Sequence, residues 1–410
     1  MPLLLYGARH VGKTYILNEF GEKHYKNTVY INFETDTATA RYFDDDLNPE
    51  RLVRFMETSA DTVINPADTL IIFDEIQTCE RALVSLKYFR EDAPEYHVAA
   101  AGSLLDVAID KDRVPFPTDV EIMTLYPMDF EEYLWALDEA QLADEIRGRY
   151  ESMKPLSDAL HTKATELYRC YLIVGGMPAC VSSFTRSGKT ILIPTIQNEI
   201  MNSYIADIAK SASPDEAKKI RACYDSVPAQ LAKDNKKFRY KTVRRGGSAA
   251  MYGASIDWLI QADIALECRK IDHAMIPIAV YEDPSSFKLY QNDVGLLTAR
   301  SGIPQQTVLS GQSSLFMDGL AENYIAQALK ANGYTLYYWN SEFTAEIDFI
   351  LQSGDDIIGI EVKKGIKERS KSLSVFTRSY PTAYNIRFAE KNFGYDSGFR
   401  AIPHYAAFCV

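Results

Sequence analysis

Residues 2–20 run as a short apolar strand (Pro2–Tyr6), a glycine-bounded loop GARHVGKT (residues 7–14), and a helical pattern marked by Tyr15, Ile16, Leu17 and Phe20. A G-x-x-x-x-G-K-[ST] loop between strand and helix leaves a chain few folds to choose from. Two glycines let the backbone wrap an anion, and successive N–H groups join the positive end of the helix in binding it. Gly7, Ala8, Arg9, His10, Val11, Gly12, Lys13 and Thr14 are therefore candidate nucleotide-binding residues. Lys13 would reach the β- and γ-phosphates and serve catalysis, and the Thr14 hydroxyl would hold Mg²⁺. The plain alternative is a glycine turn beside an incidental Lys-Thr pair; the flanking strand and helix argue against it.

A partner motif follows. Thr69–Phe73 (TLIIF) is a continuous apolar run of the buried parallel-strand type, and it ends in Asp74 and Glu75. A carboxylate at the C-terminal end of a central strand can hold magnesium through water, and the next can orient the attacking water as a general base. Asp74 takes the first role and Glu75 the second. Thr28–Phe33 and His97–Ala101 fit the same sheet, the latter ending at Gly102 and Ser103. Ser103 either senses the γ-phosphate or simply makes a strand-end turn. Arg113 is a candidate trans-acting arginine, with a solvated loop arginine as the plainer reading.

Length and charge bound the rest. At about 150 residues per domain, 410 residues predict two to three domains. The 44 Lys+Arg against 56 Asp+Glu give −12, which disfavours a chain coated in nucleic acid but leaves room for local basic patches. Six cysteines lie scattered, with no C-x-x-C, so neither a disulfide framework nor a structural zinc site is expected, and a reducing cytoplasm is. No apolar run approaches the ~18 residues of a membrane span, and the N-terminal run is too short for a signal core.

GARHVGKT, YINFE, LIIFDEIQ and AAGSLL, followed by LYPMDFEEYL (125–134), resemble bacterial and archaeal AAA-type P-loop ATPases that carry a C-terminal domain of unknown function. YLIVGGMPACV (171–181), SYIADIAK (203–210) and FKLYQNDVGLL (287–297) extend the resemblance over nearly the whole chain. It implies ATP rather than GTP, with Mg²⁺, an ATPase, and room for an oligomer or a protein partner. Relatives carry a helical segment ahead of the first strand. The sequence given opens at the strand itself, which points to a shortened start and leaves the nucleotide-base contacts unassigned.

Residues 129–212 carry helical spacing. Phe130, Tyr133, Leu134 and Leu137 form an apolar face, and Glu131, Glu132, Asp138, Glu139, Asp144 and Glu145 an expected solvated one. The Gly175–Pro178 stretch reads as a tight connection, and the Gly-Lys-Thr at 188–190 as a decoy without an upstream glycine. From Pro214 the order is helix (216–231), basic turn, helix (249–262) and strands near 264–271 and 279–289. That order suits a winged helix. The turn concentrates Lys233, Lys236, Lys237, Arg239, Lys241, Arg244 and Arg245, with Phe238 and Tyr240 interleaved. Lys236, Lys237, Arg239, Lys241, Arg244 and Arg245 are candidate DNA contacts through the phosphate backbone, against the alternative of a solvated or intramolecular basic loop.

In the last hundred residues a strand carrying Asp348, a Ser353–Asp356 turn and a returning strand predict a hairpin that sets Asp348 beside Glu361. Glu361 and Lys363 share a strand face. With Glu322 on the preceding helix, this set resembles the PD-(D/E)xK arrangement of restriction-endonuclease-like enzymes. The resemblance implies that Glu322, Asp348 and Glu361 hold Mg²⁺ and that Asp348, Glu361 and Lys363 cleave phosphodiesters; a half-buried hairpin with solvent-facing charges is the alternative. Lys364, Lys367, Arg369 and Lys371 form a second basic cluster, and Tyr405–Val410 reads as a final core strand.

The expected fold class is α/β multidomain: an AAA-type P-loop domain with a parallel sheet (1–127), a helical lid or connector (128–212), a winged-helix-like domain (213–312) and an α/β restriction-endonuclease-like domain (313–410). The expected function is ATP hydrolysis that drives or gates a DNA-linked C-terminal module. An ATP-gated nuclease and a nucleotide-dependent DNA-binding or regulatory module without catalysis are the alternatives.

Overall fold

The computed structural model describes residues 1–103, 120–312, 315–341, 345–363, 371–396 and 398–410. They divide into two compact units, residues 1–126 with 261–263, and residues 127–260 with 264–410. Arg113, Lys364, Lys367 and Arg369 lie outside the described residues. No helix among those described is long and apolar enough to cross a membrane.

The first unit is built on five strands, β1 (Leu3–Tyr6), β2 (Asn27–Asn32), β3 (Thr69–Asp74), β4 (His97–Gly102) and β5 (Glu121–Thr124). All pair in parallel in the order β2-β3-β4-β1-β5. Every residue of β3 is buried, as its unbroken apolar run requires of a strand covered on both faces. On one face Phe33, Phe43, Phe73 and Phe89 pack edge-to-face beneath α2 (Thr37–Asp45), α3 (Pro49–Ala60) and α4 (Glu80–Asp92). On the other, α1 (Lys13–His24) lays Leu17 against Leu5, Leu70, Ile72, Ala99 and Ala101. Parallel pairing brings the C-terminal ends of β1, β3 and β4 to one edge, which is where Gly7, Asp74 and Ser103 lie.

The second unit begins with helices. Phe130–Ala136 opens with a capping box between Asp129 and Glu132. Glu131, expected on a solvated face, is instead buried and ion-paired with Arg147, because it sits on the side of the helix that packs inward. Helices Ala140–Ser152, Asp158–Val174, Pro178–Ser187, Ile193–Ser211, Pro214–Leu231 and Ala249–Gln261 follow, with a single turn at Tyr240–Val243. The Gly175–Pro178 connection is tight: a Cβ on Gly176 would lie 1.9 Å from the Met128 carbonyl oxygen.

The remaining strands, β6 (Ala265–Ile271), β7 (Glu282–Gln291), β8 (Tyr337–Asn340), β9 (Glu346–Ser353), β10 (Asp356–Val362), β11 (Ile386–Ala389), β12 (Gly394–Asp396) and β13 (Phe399–Pro403), form one mixed sheet. Its order is β12-β13-β11-β10-β9-β8-β6-β7. The β6–β7 hairpin expected as a wing is thus not free: β6 pairs in parallel with β8, and residues on both sides of position 312 share the sheet. The β9–β10 hairpin forms as read. Residues His404–Cys409, buried as far as Phe408, form 3₁₀ turns rather than the expected strand, since the last ladder ends at Pro403.

Candidate functional site

The loop after β1 turns on glycine. Gly7 has φ 142 and a Cβ there would sit 2.2 Å from the Leu125 carbonyl oxygen, so no other residue fits. The Lys13 ammonium, buried at the start of α1, donates to the carbonyls of Gly7 (2.9 Å) and Ala8 (2.7 Å). Burial lowers its pKa to about 8 against the opposing pull of Glu75 and Asp74. His10 has φ 66 and a lowered pKa, chiefly from burial and then from Arg9 and Lys13.

Thr14 Oγ1 donates to Asp74 Oδ2 at 2.9 Å, joining the start of α1 to the end of β3. Tyr30 donates to the same oxygen at 2.6 Å, and burial first, then this bond, pushes its phenol up to about 12. A hydroxyl and a buried carboxylate one hydrogen bond apart suit Mg²⁺, a hard ion that takes one or two protein oxygens and keeps waters and phosphates for the rest. Thr14 and Asp74 are the residues that would hold it. Glu75 follows with φ 51, a left-handed turn that swings its carboxylate away from the strand axis. Arg9 Nη2 lies 3.6 Å from both Glu75 and Glu34.

Gln77 was not legible as a site residue. Its Nε2 donates to Glu75 Oε2 at 2.6 Å, and its Oε1 accepts the Ser103 N–H at 3.3 Å. It therefore bridges the end of β3 to the end of β4. Only the sheet order, with β4 slotted between β1 and β3, brings these together.

The C-terminal carboxylates are arranged differently from the expected metal set. Glu322, on the helix Leu315–Ala331, is buried and holds Lys236 Nζ at 2.7 Å and Lys288 Nζ at 3.0 Å, and accepts the Tyr290 hydroxyl. Burial alone would raise its pKa, but the two ammonium groups hold it below the usual carboxylate range. Asp348 accepts the Val362 N–H at 2.8 Å and is pushed up by burial and by Glu322. Glu361 turns to Arg387 (3.5 Å), its register partner on β11, and to Lys363 (3.7 Å). Each acid is matched to a cation of the chain. Among the described residues no group of three or more His, Cys, Asp or Glu could hold a metal ion. The expected Mg²⁺ ligands do not fit that ion here.

The basic turn is split. Lys236, expected to contact DNA, points inward to Glu322, and Lys237 is half-buried with its amine over the Tyr338 ring. Arg239, Lys241, Arg244 and Arg245 are exposed. Asp293, a further buried acid, accepts the N–H groups of Gly176 (2.6 Å) and Leu296 (2.8 Å).

Loop, strand order and the Thr14–Asp74 contact together define a P-loop ATPase-like fold, accompanied by helices and a second, mixed sheet. Residues 1–134 match the AAA domain family, and residues 165–307 and 317–406 match two domains of unknown function. Among solved structures, a Walker-type ATPase of Pyrococcus abyssi is 12% identical, with 73% of this chain and 90% of that one covered, at a TM-score of 0.44. Cdc6p from Pyrobaculum aerophilum is 12% identical over 78% of this chain and 88% of its own, at 0.24. A Drosophila ORC chain, from a DNA-bound structure, is 13% identical over 74% and 91%, at 0.25. No curated protein matches the chain.

Proposed function

We propose that the chain binds ATP with Mg²⁺ and hydrolyses it at the β1–α1 loop. The observation that supports this reading is the 2.9 Å Thr14–Asp74 bond, which joins a hydroxyl and a carboxylate suited to Mg²⁺, with Glu75 next in sequence. Bound Mg²⁺ would supply charge neutralisation on the triphosphate. The loop N–H groups and the α1 N-terminus bind the phosphates. The Lys13 ammonium exchanges its two carbonyl acceptors for phosphate oxygens, which keeps it charged against burial. Glu75, held from one side by Gln77, orients the attacking water and receives its proton at the carboxylate. ATP is favoured over GTP by the AAA match.

The exposed Arg239, Lys241, Arg244 and Arg245 support a link to DNA in the second unit, so that ATP turnover drives or gates a nucleic-acid-bound state. In the nuclease alternative each proposed metal-binding acid, Glu322, Asp348 and Glu361, is already paired with a cation of the chain, and this favours a binding module over a cutting one. Steady-state ATP hydrolysis with Mg²⁺, with and without duplex and single-stranded DNA, tests both parts. Lys13→Ala should abolish turnover. Full turnover in that variant would remove the site assignment, and hydrolysis indifferent to DNA would favour a protein partner.

A further inference from the structure

A lysine side chain 1% exposed to solvent sits in the second unit's sheet. Lys288 lies on β7, opposite Cys268 of β6 and between the buried Phe287 and Leu289. Its Nζ is 2.8 Å from Glu346, 3.0 Å from Glu322 and 3.7 Å from Asp348, and 5.0 Å from the centre of the Tyr338 ring. Lys236 closes the other side, 2.7 Å from the second oxygen of Glu322. Three carboxylates from a helix and a strand thus converge on one ammonium, with a second lysine as flank. A surface lysine folded inward would keep a route to water. Lys288 has none, because its strand places the whole side chain inside.

We propose that Lys288 is the resident cation of this cluster: it fills, covalently attached, the place a divalent ion would take. The chain's own charge keeps Glu322, Glu346 and Asp348 together, so the C-terminal sheet is assembled without metal. The carboxylates are a latent ion site that the lysine keeps shut. Removing the ammonium while keeping the side chain's length leaves the buried Glu322 and the partly exposed Glu346 and Asp348 without their central partner, and a divalent cation is then the simplest replacement.

The test uses the full chain, free of nucleotide and stripped of metal with a chelator, titrated with Mn²⁺ and followed by thermal unfolding and by the relaxation of water protons. Wild-type protein should show no Mn²⁺ site in the second unit and no rise in Tm. Lys288→Met should lose about 10 °C of Tm, as expected for breaking a buried ion pair in a unit of this size. Millimolar Mn²⁺ should restore most of that loss through a saturable site, and adding Asp348→Asn should abolish the recovery. Lys288→Arg, which keeps the charge, should remain folded and indifferent to Mn²⁺.

Three outcomes overturn the proposal: a Mn²⁺ site in wild-type protein that Asp348→Asn removes, an unchanged Tm in Lys288→Met, or a folded Lys288→Met that gains no site. Should Lys288→Met fail to fold at all, the wild-type titration and Lys288→Arg still decide it. Wild-type indifference in the second unit with a folded, indifferent Lys288→Arg sustains the proposal, and a metal response in either that Asp348→Asn removes refutes it.

Discussion

Removing Gln77 should slow ATP hydrolysis without weakening ATP binding. Its amide is 2.6 Å from Glu75 and its carbonyl accepts the Ser103 N–H, so it fixes the Glu75 carboxylate, the proposed general base, against the end of β4. In Gln77→Ala the Glu75 carboxylate keeps its ion pair with Arg9 at 3.6 Å, which Glu34 also attracts. A hydrogen bond to a charged group contributes about 1.5–3 kcal/mol, and partial solvent access to Glu75 places this one at the lower end. About 1.5–2 kcal/mol corresponds to a kcat lower by roughly 10–30-fold. KM for ATP should stay level, because Gln77 belongs to neither the loop nor α1. Steady-state kinetics with Mg²⁺ separate the two constants. Gln77→Glu adds a distinguishing signature: a second carboxylate beside Glu75 should move the acid limb of kcat to higher pH. An unchanged kcat in Gln77→Ala, or a loss confined to KM, would refute the bridging role.

Gly176→Ala should cost about 3 kcal/mol or more in urea unfolding, since its Cβ would meet Met128 backbone at 1.9 and 2.8 Å; Gly188→Ala, with open space but φ 63, should cost only about 1 kcal/mol. Asp293 is raised to about 6 by burial, so the native state binds its proton more tightly than the unfolded chain does. Stability should therefore fall as pH rises from about 4 to 6, by about 3 kcal/mol in all, and Asp293→Asn should flatten that slope; parallel pH profiles would contradict it. Reversing charge at Arg239, Lys241, Arg244 and Arg245 should weaken DNA binding and reduce its salt dependence, whereas Lys236→Glu should destabilise the fold by setting a further carboxylate against the buried Glu322. Titration of DNA at several salt concentrations, beside melting curves, separates the two effects.

The features legible in the sequence are those whose physics is local. The loop spacing, the turn before α1 and the buried run of β3 each depend on fewer than about ten neighbouring residues, and periodicity reports such features directly. The β9–β10 hairpin was legible for the same reason. What escaped depends on pairing across the chain. Gln77 meets Ser103 only because β4 lies beside β3. Lys236 looks like one more exposed cation until Glu322 is brought under it by the helix Leu315–Ala331. Lys288 interrupts the otherwise apolar stretch Phe287–Tyr290 at the buried end of β7, and a charge in such a run was the one available signal that a buried partner existed. The apolar Tyr405–Phe408 run fits strand and 3₁₀ turn equally, since burial of consecutive residues erases the period that would tell them apart.

The parallel pairing of β6 with β8 has a consequence for how the chain is born. The first sheet takes all its strands from residues 3–124, so it can close early in synthesis. The β6–β7 hairpin leaves the ribosome with one edge bare and waits for β8 (Tyr337–Asn340), which is complete about 50 residues after Gln291. At about 5–20 residues per second that is roughly 2.5–10 s with unpaired backbone donors and acceptors displayed to the cell. A nascent chain arrested in that interval would carry a finished N-terminal sheet and, behind it, an open template for strand addition.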